Sequence, residues 1–215
     1  MEKRTENVKE KLAEAWRLFD IGEFVASEAI YLECLKETNE YEYDTYASIL
    51  MGLIYTQSFL EKYDAARSYA KQLIDIAPNE EERHIALHQA GMVERMAGDY
   101  EEALKLFQEE EEVINKAFPT DDLRIAANLY ERAYVNMKKG RFESAEEIMM
   151  SSLEHAKAAD DAMCIGCAYR GLGEIMDLCE KEALAQDYFE QAIEAFKLAG
   201  DMIAVKEVES MIAYE

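Results

Sequence analysis

Two short stretches of this 215-residue chain carry side chains whose types and spacing could do chemistry. Cys164-Ile-Gly-Cys167 is spaced as a thiol pair that holds zinc beside a second ligand pair, or exchanges electrons when it opens a helix next to a sheet. His84 and His88 stand four apart, on one face if the segment is helical, as two metal ligands do. Neither pair has its context. There is no second CxxC, residue 85 is Ile where a zincin motif needs Glu, His155 is remote, and no third ligand follows at a recognisable spacing. Cys34 and Cys179 fall at helical core positions, where cysteine acts as a small hydrophobe. No nucleophile elbow, phosphate-binding glycine loop or pair of catalytic acids stands out among the 46 carboxylates. The reading is a non-enzyme with no cofactor and no metal site.

The elements that carry these residues are helical hairpins. In LHQAGMVERMAGDYEEALKLF (87–107), Gly98 suits a helix end that needs a left-handed backbone, and Asp99 can cap a second helix, with Glu102 reaching back as in a capping box. Ala103, Leu106 and Phe107 then begin a new apolar stripe. The same pattern recurs. Aligning on the small residue in the middle of the first helix gives Ala15, Gly52, Gly91, Ala133 and Gly173, spaced 37, 39, 42 and 40 residues apart. The small residue early in the second helix is Ser27, Ala66, Ala103, Ala145 or Ala185, and Tyr31, Phe107, Met149 and Phe189 follow it by four, with Ala70 the exception. A single hairpin cannot bury both of its faces, so self-similarity near forty residues predicts a stacked, all-α solenoid.

Composition agrees. Half the residues are apolar, no Gly-, Ser- or Pro-rich linker divides the chain, and Pro78 and Pro119 both fall between hairpins, so one domain is expected. The apolar run ASILMGLIY is too short to span a bilayer, and the amino terminus lacks a signal-peptide core, which points to a soluble cytoplasmic protein with no membrane partner. The first repeat begins so early that no helix-turn-helix effector is expected ahead of it. After Gly200, Met202, Val205, Val208 and Ile212 share one side of a segment that reads as a capping helix. With 46 acidic against 23 basic residues, the net charge of −23 supplies no face for phosphates and excludes nucleic acid as a partner. Runs such as NEEER and QEEEE read as solvated helix faces.

The pattern Gly91, Gly98, Tyr100, Ala103 and Phe107, with Pro78 after a second helix, resembles the tetratricopeptide repeat, in the longer-helix variant found in bacterial regulators and scaffold proteins. The resemblance implies a right-handed superhelical solenoid of about five helix-turn-helix repeats, at about 4–40, 41–78, 79–119, 120–159 and 160–200, plus a C-terminal capping helix at 201–215. Two turns depart from the pattern, since Glu61 and Glu180 stand where the turn glycine is expected, and a longer turn is expected at TQSFLEK.

In such proteins the first helix of each hairpin lines a concave groove. Transferring the family's groove positions gives Leu12, Trp16, Phe19 and Asp20 in the first repeat and Ile49, Leu53, Thr56 and Gln57 in the second. The third gives His88, Met92, Arg95 and Met96, the fourth Tyr130, Tyr134, Met137 and Lys138, and the fifth Arg170, Glu174, Asp177 and Leu178. Trp16, His88, Met92, Arg95, Tyr130, Tyr134, Met137, Lys138 and Arg170 are the candidate contacts for a peptide or protein segment, while pairing with acids such as Glu131 and Glu174 is the structural alternative for the basic ones. The family's clamp for chaperone C-terminal carboxylates is excluded, because its Lys and Asn are replaced here by Leu12 and Trp16, or His88 and Met92. Three functions remain: a non-catalytic interaction module holding a protein segment in the groove, a regulator sensing a small signalling peptide, and a metal or redox protein using Cys164 and Cys167. Self-association is a further partner mode.

Overall fold

The computed structural model describes residues 2–212, with side chains from residue 7 onward. Among the described residues every regular element is a helix: α1 (Glu2–Asp20), α2 (Phe24–Glu37), α3 (Tyr43–Phe59), α4 (Tyr63–Ile76), α5 (Glu80–Ala97), α6 (Tyr100–Ala117), α7 (Asp122–Lys138), α8 (Phe142–Ala158), α9 (Ala162–Leu178), α10 (Glu182–Ala199) and α11 (Met202–Ile212). They form an all-α solenoid of five helical hairpins followed by a terminal helix. The contacts divide into two compact units, Met1–Leu106 and Phe107–Glu215.

Every hairpin turns in the same way. Gly22, Glu61, Gly98, Gly140 and Glu180 all adopt positive φ, between 58° and 81°. The following amide donates to the carbonyl five residues back in all five: Glu23 to Leu18, Lys62 to Gln57, Asp99 to Glu94, Arg141 to Asn136 and Lys181 to Met176, at 2.8–3.0 Å. The turn after α3 is therefore no longer than the others, contrary to the expectation for TQSFLEK. Glu61 takes the left-handed conformation that glycine takes elsewhere.

That turn also corrects the register of the second repeat. In the other four repeats the turn residue lies seven after Ala15, Gly91, Ala133 or Gly173, which places Ile54, and not Gly52, at the equivalent site before Glu61. Gly52 is small for another reason. A Cβ there would stand 2.2 Å from Cζ of Tyr31, whose ring lies flat against the α3 backbone. Gly171 holds the same repeat position and receives Met149, the counterpart of Tyr31, at 2.4 Å from a would-be Cβ. The corresponding positions for Ala70 and Phe107 are Gln89 and Glu131, so at this repeat position the bare-backbone seat is confined to the Tyr31 and Met149 pairs.

Polar locks join successive hairpins in the first unit. Glu28, 9% exposed, accepts from Gln57 Nε2 at 2.8 Å and from Lys62 Nζ at 2.6 Å. One hairpin later, Arg67 grips Glu94 through Nε and Nη2 at 2.7–3.0 Å. These two pairs occupy the same repeat positions, so partner choice is written into each interface. In the second unit Asn128 Nδ2 bonds the Phe107 carbonyl and Glu110 Oε2. Glu110 is 2% exposed, an interior group where an outward, second-helix position was expected. The core of this unit joins Met149, Leu172, Ile175, Phe189 and Phe196.

Caps in the second unit recur at intervals of forty residues: Asp121, Asp161 and Asp201 each accept the amide three residues on, from Arg124, Cys164 and Ala204. α11 thus begins as the first helix of a further repeat. It seats Ala204, Val205 and Val208 in the core, whereas Met202, expected inward, is 54% exposed. Residues 213–215 of the expected capping segment lie outside the described residues. At Asp99 the cap accepts from the Glu102 amide at 3.3 Å, while the Glu102 carboxylate pairs with Lys105 at 2.6 Å.

Gly52→Ala drives a methyl group into the Tyr31 ring and should cost about 1–3 kcal/mol. Glu61→Gly relieves a left-handed backbone at an exposed position and should stabilise by about 0.5–1 kcal/mol. Urea unfolding midpoints measure both; a Gly52→Ala protein as stable as the parent would show that the ring does not depend on the bare backbone.

Candidate functional site

The inner faces are built from first helices. α1 packs beside α3 and α3 beside α5 in the first unit, and α7 packs beside α9 in the second.

In the first unit these helices enclose an open cavity of about 610 Å³. Leu12 and Trp16 of α1 face Met51 and Tyr55 of α3, with Ile85 of α5 beyond them. Met51 and Tyr55 stand three before and one after Ile54, as Leu12 and Trp16 do with respect to Ala15, so the corrected register brings the same repeat positions to the same wall. The residues first assigned to this face, Ile49, Leu53, Thr56 and Gln57, are all buried, with exposures of 4% or less. Sequence reasoning thus missed Met51 and Tyr55. The interval of twelve residues from Ala15 to Ser27, Gly91 to Ala103, Ala133 to Ala145 and Gly173 to Ala185 points to Ile54 when counted back from Ala66.

One end of the cavity is aromatic and the other acidic. Trp16 stacks on Phe19 at 5.5 Å and meets Tyr55 edge-on at 6.1 Å, while Phe19, Phe24 and Phe59 close a cluster with centroids 5.0–5.3 Å apart. Trp16 is nonetheless 47% exposed and Phe59 51%. At the opposite end stand Asp44 and Glu82, the latter accepting from the Tyr43 hydroxyl at 3.0 Å. Burial and that carboxylate raise the Tyr43 phenol well above its ordinary range, so it remains a donor. Among the described residues no lysine or arginine lines the cavity. His88, Met92 and Arg95 are half-buried on α5 and are not part of its lining.

In the second unit, Tyr130 and Tyr134 lie 6.3 Å apart on α7, and Lys138 sits over the Tyr134 ring at 4.9 Å. Arg170 of α9 donates to the Tyr130 hydroxyl at 3.1 Å and lies 3.7 Å from Glu174 and 3.6 Å from Glu207 of α11. The structure thus brings Tyr130, Tyr134, Lys138 and Arg170 together, and balances Arg170 with two carboxylates, as the structural alternative required. Met137 is a correction: it is 2% exposed and packed in the core, so it makes no groove contact. It packs instead in the cluster that includes Ala133, Leu172 and Met176.

The thiols are poorly suited to metal or redox work. Burial, with Asp161 beside it, pushes Cys164 up to about 12, and burial raises Cys167 and Cys34 as well. Cys34 is buried as expected, but Cys179 is half-buried at the C-cap of α9 and is not a core residue. His155 pairs with Asp122 at 2.7 Å, and His84 lies 4.0 Å from Glu81. Among the described residues no group of three or more His, Cys, Asp or Glu could hold a metal ion, and no described helix is long and apolar enough to cross a membrane.

Residues 124–197 match the tetratricopeptide repeat model. That segment is built of tetratricopeptide repeats. No curated protein matches the sequence. Among solved structures, PlcR of Bacillus thuringiensis in complex with the peptide PapR7 and DNA is similar, with a TM-score of 0.74 at 15% identity over 94% of this chain and 74% of that one. The TPR-like repeats of a putative kinesin light chain of Podosopora anserina give 0.68 at 14% identity, over 90% and 96% of the two chains. A thermophilic TPR protein of Thermus thermophilus gives 0.67 at 18%, over 97% and 100%. At these identities the likeness concerns the fold.

The raised thiols and phenols make stability depend on pH in one direction. Cys164 and Tyr31 are both pushed up to about 12 by burial in the folded chain. The unfolded chain releases these protons first, from about pH 8.5 for a thiol and about pH 10 for a phenol. The folded state then binds more protons, so stability is full below that range and is lost as pH rises toward the folded values. Urea midpoints should fall steadily on going from neutral to strongly alkaline pH, and Cys164 should react with a disulfide reagent far more slowly than free cysteine at neutral pH. A fast Cys164 and a flat alkaline profile would reveal an activated thiol.

Proposed function

We propose that this chain is a non-catalytic receptor for a short signalling peptide, held on the inner faces of its first helices. The observation that carries this reading is the likeness over 94% of the chain to PlcR, a protein whose structure contains the bound peptide PapR7. The local chemistry supports it. Exposed or half-exposed aromatic side chains on inner helices supply large, rigid contact area at little entropic cost. The candidate contacts are Trp16, Met51, Tyr55, His88, Met92 and Arg95 in the first unit and, taken separately, Tyr130, Tyr134, Lys138 and Arg170 in the second. Arg170 acts mainly by positioning Tyr130.

A second reading, an interaction module for a longer protein segment, draws on the exposure of Phe59 and Trp16, which extends the aromatic surface beyond the cavity. Peptide length separates the two. A receptor binds a short peptide with full affinity, whereas an interaction module loses most of its affinity when the segment is shortened.

Calorimetric titration with a panel of short synthetic peptides should identify a ligand that binds one to one. For such a ligand, Tyr134→Ala should weaken binding about thirtyfold if the ring is a central anchor. Lys138→Ala should weaken it about threefold, with the effect shrinking in salt if the ligand carries carboxylates. Glu147→Ala, on the exposed side of α8, should change nothing. Affinity indifferent to Tyr134 and Lys138, but abolished when outer acidic faces are neutralised, would move the site to the opposite surface.

A further inference from the structure

The cavity of the first unit has a chemical polarity that selects the sign of its ligand. Its walls are Leu12, Trp16, Met51 and Tyr55, its far rim carries Asp44 and Glu82, and among the described residues no basic side chain lines it. Asp44 is exposed and Glu82 half-buried, with one of its oxygens engaged by Tyr43. At about 610 Å³ the space holds a few side chains and not a whole helix.

Arg83, next to Glu82 in sequence, is exposed and does not line the cavity, and several other basic residues of this unit are paired with acids elsewhere. Lys11 bonds Glu33 and Glu37 at 2.8 and 3.0 Å, Lys62 bonds Glu28, Arg67 bonds Glu94, and Arg17 pairs with Glu14. An anionic ligand entering here would meet two carboxylates and no basic side chain among the described lining residues, inside a chain whose net charge is −23. A ligand with an apolar side chain and an adjacent amine meets aromatic faces on one side and carboxylates on the other. Trp16 and Tyr55, whose ring centroids lie 6.1 Å apart, also offer π faces that attract a cation.

We propose that this cavity anchors a short cationic peptide, taking an apolar residue against Trp16, Met51 and Tyr55 and directing a neighbouring basic group to Asp44 and Glu82. The assignment rests on the peptide-receptor reading and adds the ligand's charge and its point of attachment. It also differs from what the cluster around Arg170 alone would suggest, since that arginine already has Glu174 and Glu207.

Trp16 is the only tryptophan of the chain, so its emission reports on this cavity directly. The probes are three end-blocked tetrapeptides of one apolar core: Leu-Phe-Lys-Lys, Leu-Phe-Gln-Gln and Leu-Phe-Glu-Glu. The lysine peptide should shift Trp16 emission saturably and bind at least about tenfold more tightly than the glutamate peptide, a preference that salt reduces. Asp44→Asn and Glu82→Gln should each raise its Kd about threefold. Ser48→Lys, at an exposed position on the cavity lining, should narrow the preference for the lysine peptide over the glutamate peptide. Circular dichroism keeps folding defects apart from binding defects.

A glutamate peptide that binds as tightly as the lysine peptide, or an undiminished lysine preference in Ser48→Lys, overturns the charge assignment. Heat in calorimetry without any change in Trp16 emission overturns the location while leaving a peptide receptor standing. If all three probes fail to bind, the anchor is refuted. The receptor reading is then judged separately by the wider peptide panel.

Discussion

A single backbone constraint sets the rest of this molecule in order: the left-handed residue that ends each first helix. At Gly22, Glu61, Gly98, Gly140 and Glu180 the chain reverses through the same hydrogen bond to the fifth residue back. Because the turn has one geometry, the second helix always starts at the same phase, and its small residue always arrives five positions later, at Ser27, Ala66, Ala103, Ala145 or Ala185, each of them fully buried. The backbones can then approach closely, and the next bulky position of each second helix is aimed at a neighbouring first helix. Tyr31 on Gly52 and Met149 on Gly171 are the consequence. Two of the five turns are built with glutamate at a cost of about 1 kcal/mol or more, which shows that packing on either side holds the conformation without glycine's help.

Charge works on a second level. Acids outnumber bases two to one, and three of the buried acids are matched with specific partners: Glu28 with Lys62 and Gln57, Glu94 with Arg67, Glu110 with Asn128. A buried carboxylate without such a partner would be far more costly than the pair is favourable, so these locks choose between neighbours more than they add stability. They also consume basic residues. Lys11, Arg67, Arg132 and Arg170 all point into ion pairs, Arg132 with Glu111. The acidic surplus is left to the solvated faces and to the rim of the cavity.

Much of the fold was legible because its signals are local. Gly98, Asp99 and the small residues of the second helices report on their own backbone, and the structure places them as read. The second hairpin was misplaced by two residues because two glycine roles look alike in sequence: Gly52 is small to admit Tyr31, whereas the position aligned with Ala15 is filled by Ile54. Smallness alone cannot separate these roles; distance to the turn can. The same slip put Ile49 and Leu53 on the inner face and left Met51 and Tyr55 out. Met137 and Glu110 failed for a different reason. A helix of seventeen or eighteen residues has more inward positions than a family offset distinguishes, and whether Met or Glu faces the core depends on a neighbour, Asn128 in the case of Glu110, that lies far away in sequence.

The inner face of α1, α3 and α5 is accordingly not a generic greasy groove but the product of two independent requirements. Repeat register brings the positions of Leu12, Trp16, Met51 and Tyr55 into one wall, and that would hold whatever residues stood there. The chemistry of the rim comes instead from the first turns of the neighbouring helices: Asp44 lies in the first turn of α3 and Glu82 in that of α5, where a carboxylate is favoured by the positive end of the helix dipole. Helix starts in this chain therefore collect acids for structural reasons, and any cavity bounded by them inherits negative charge. Where a helix end faces an opposing base, as at Arg124 beside Asp121, the charge is cancelled within the fold. Where it faces an open apolar cavity, as at Asp44 and Glu82, the cancelling charge has to come from the ligand, so the force that starts the helices also sets the sign of what they can hold.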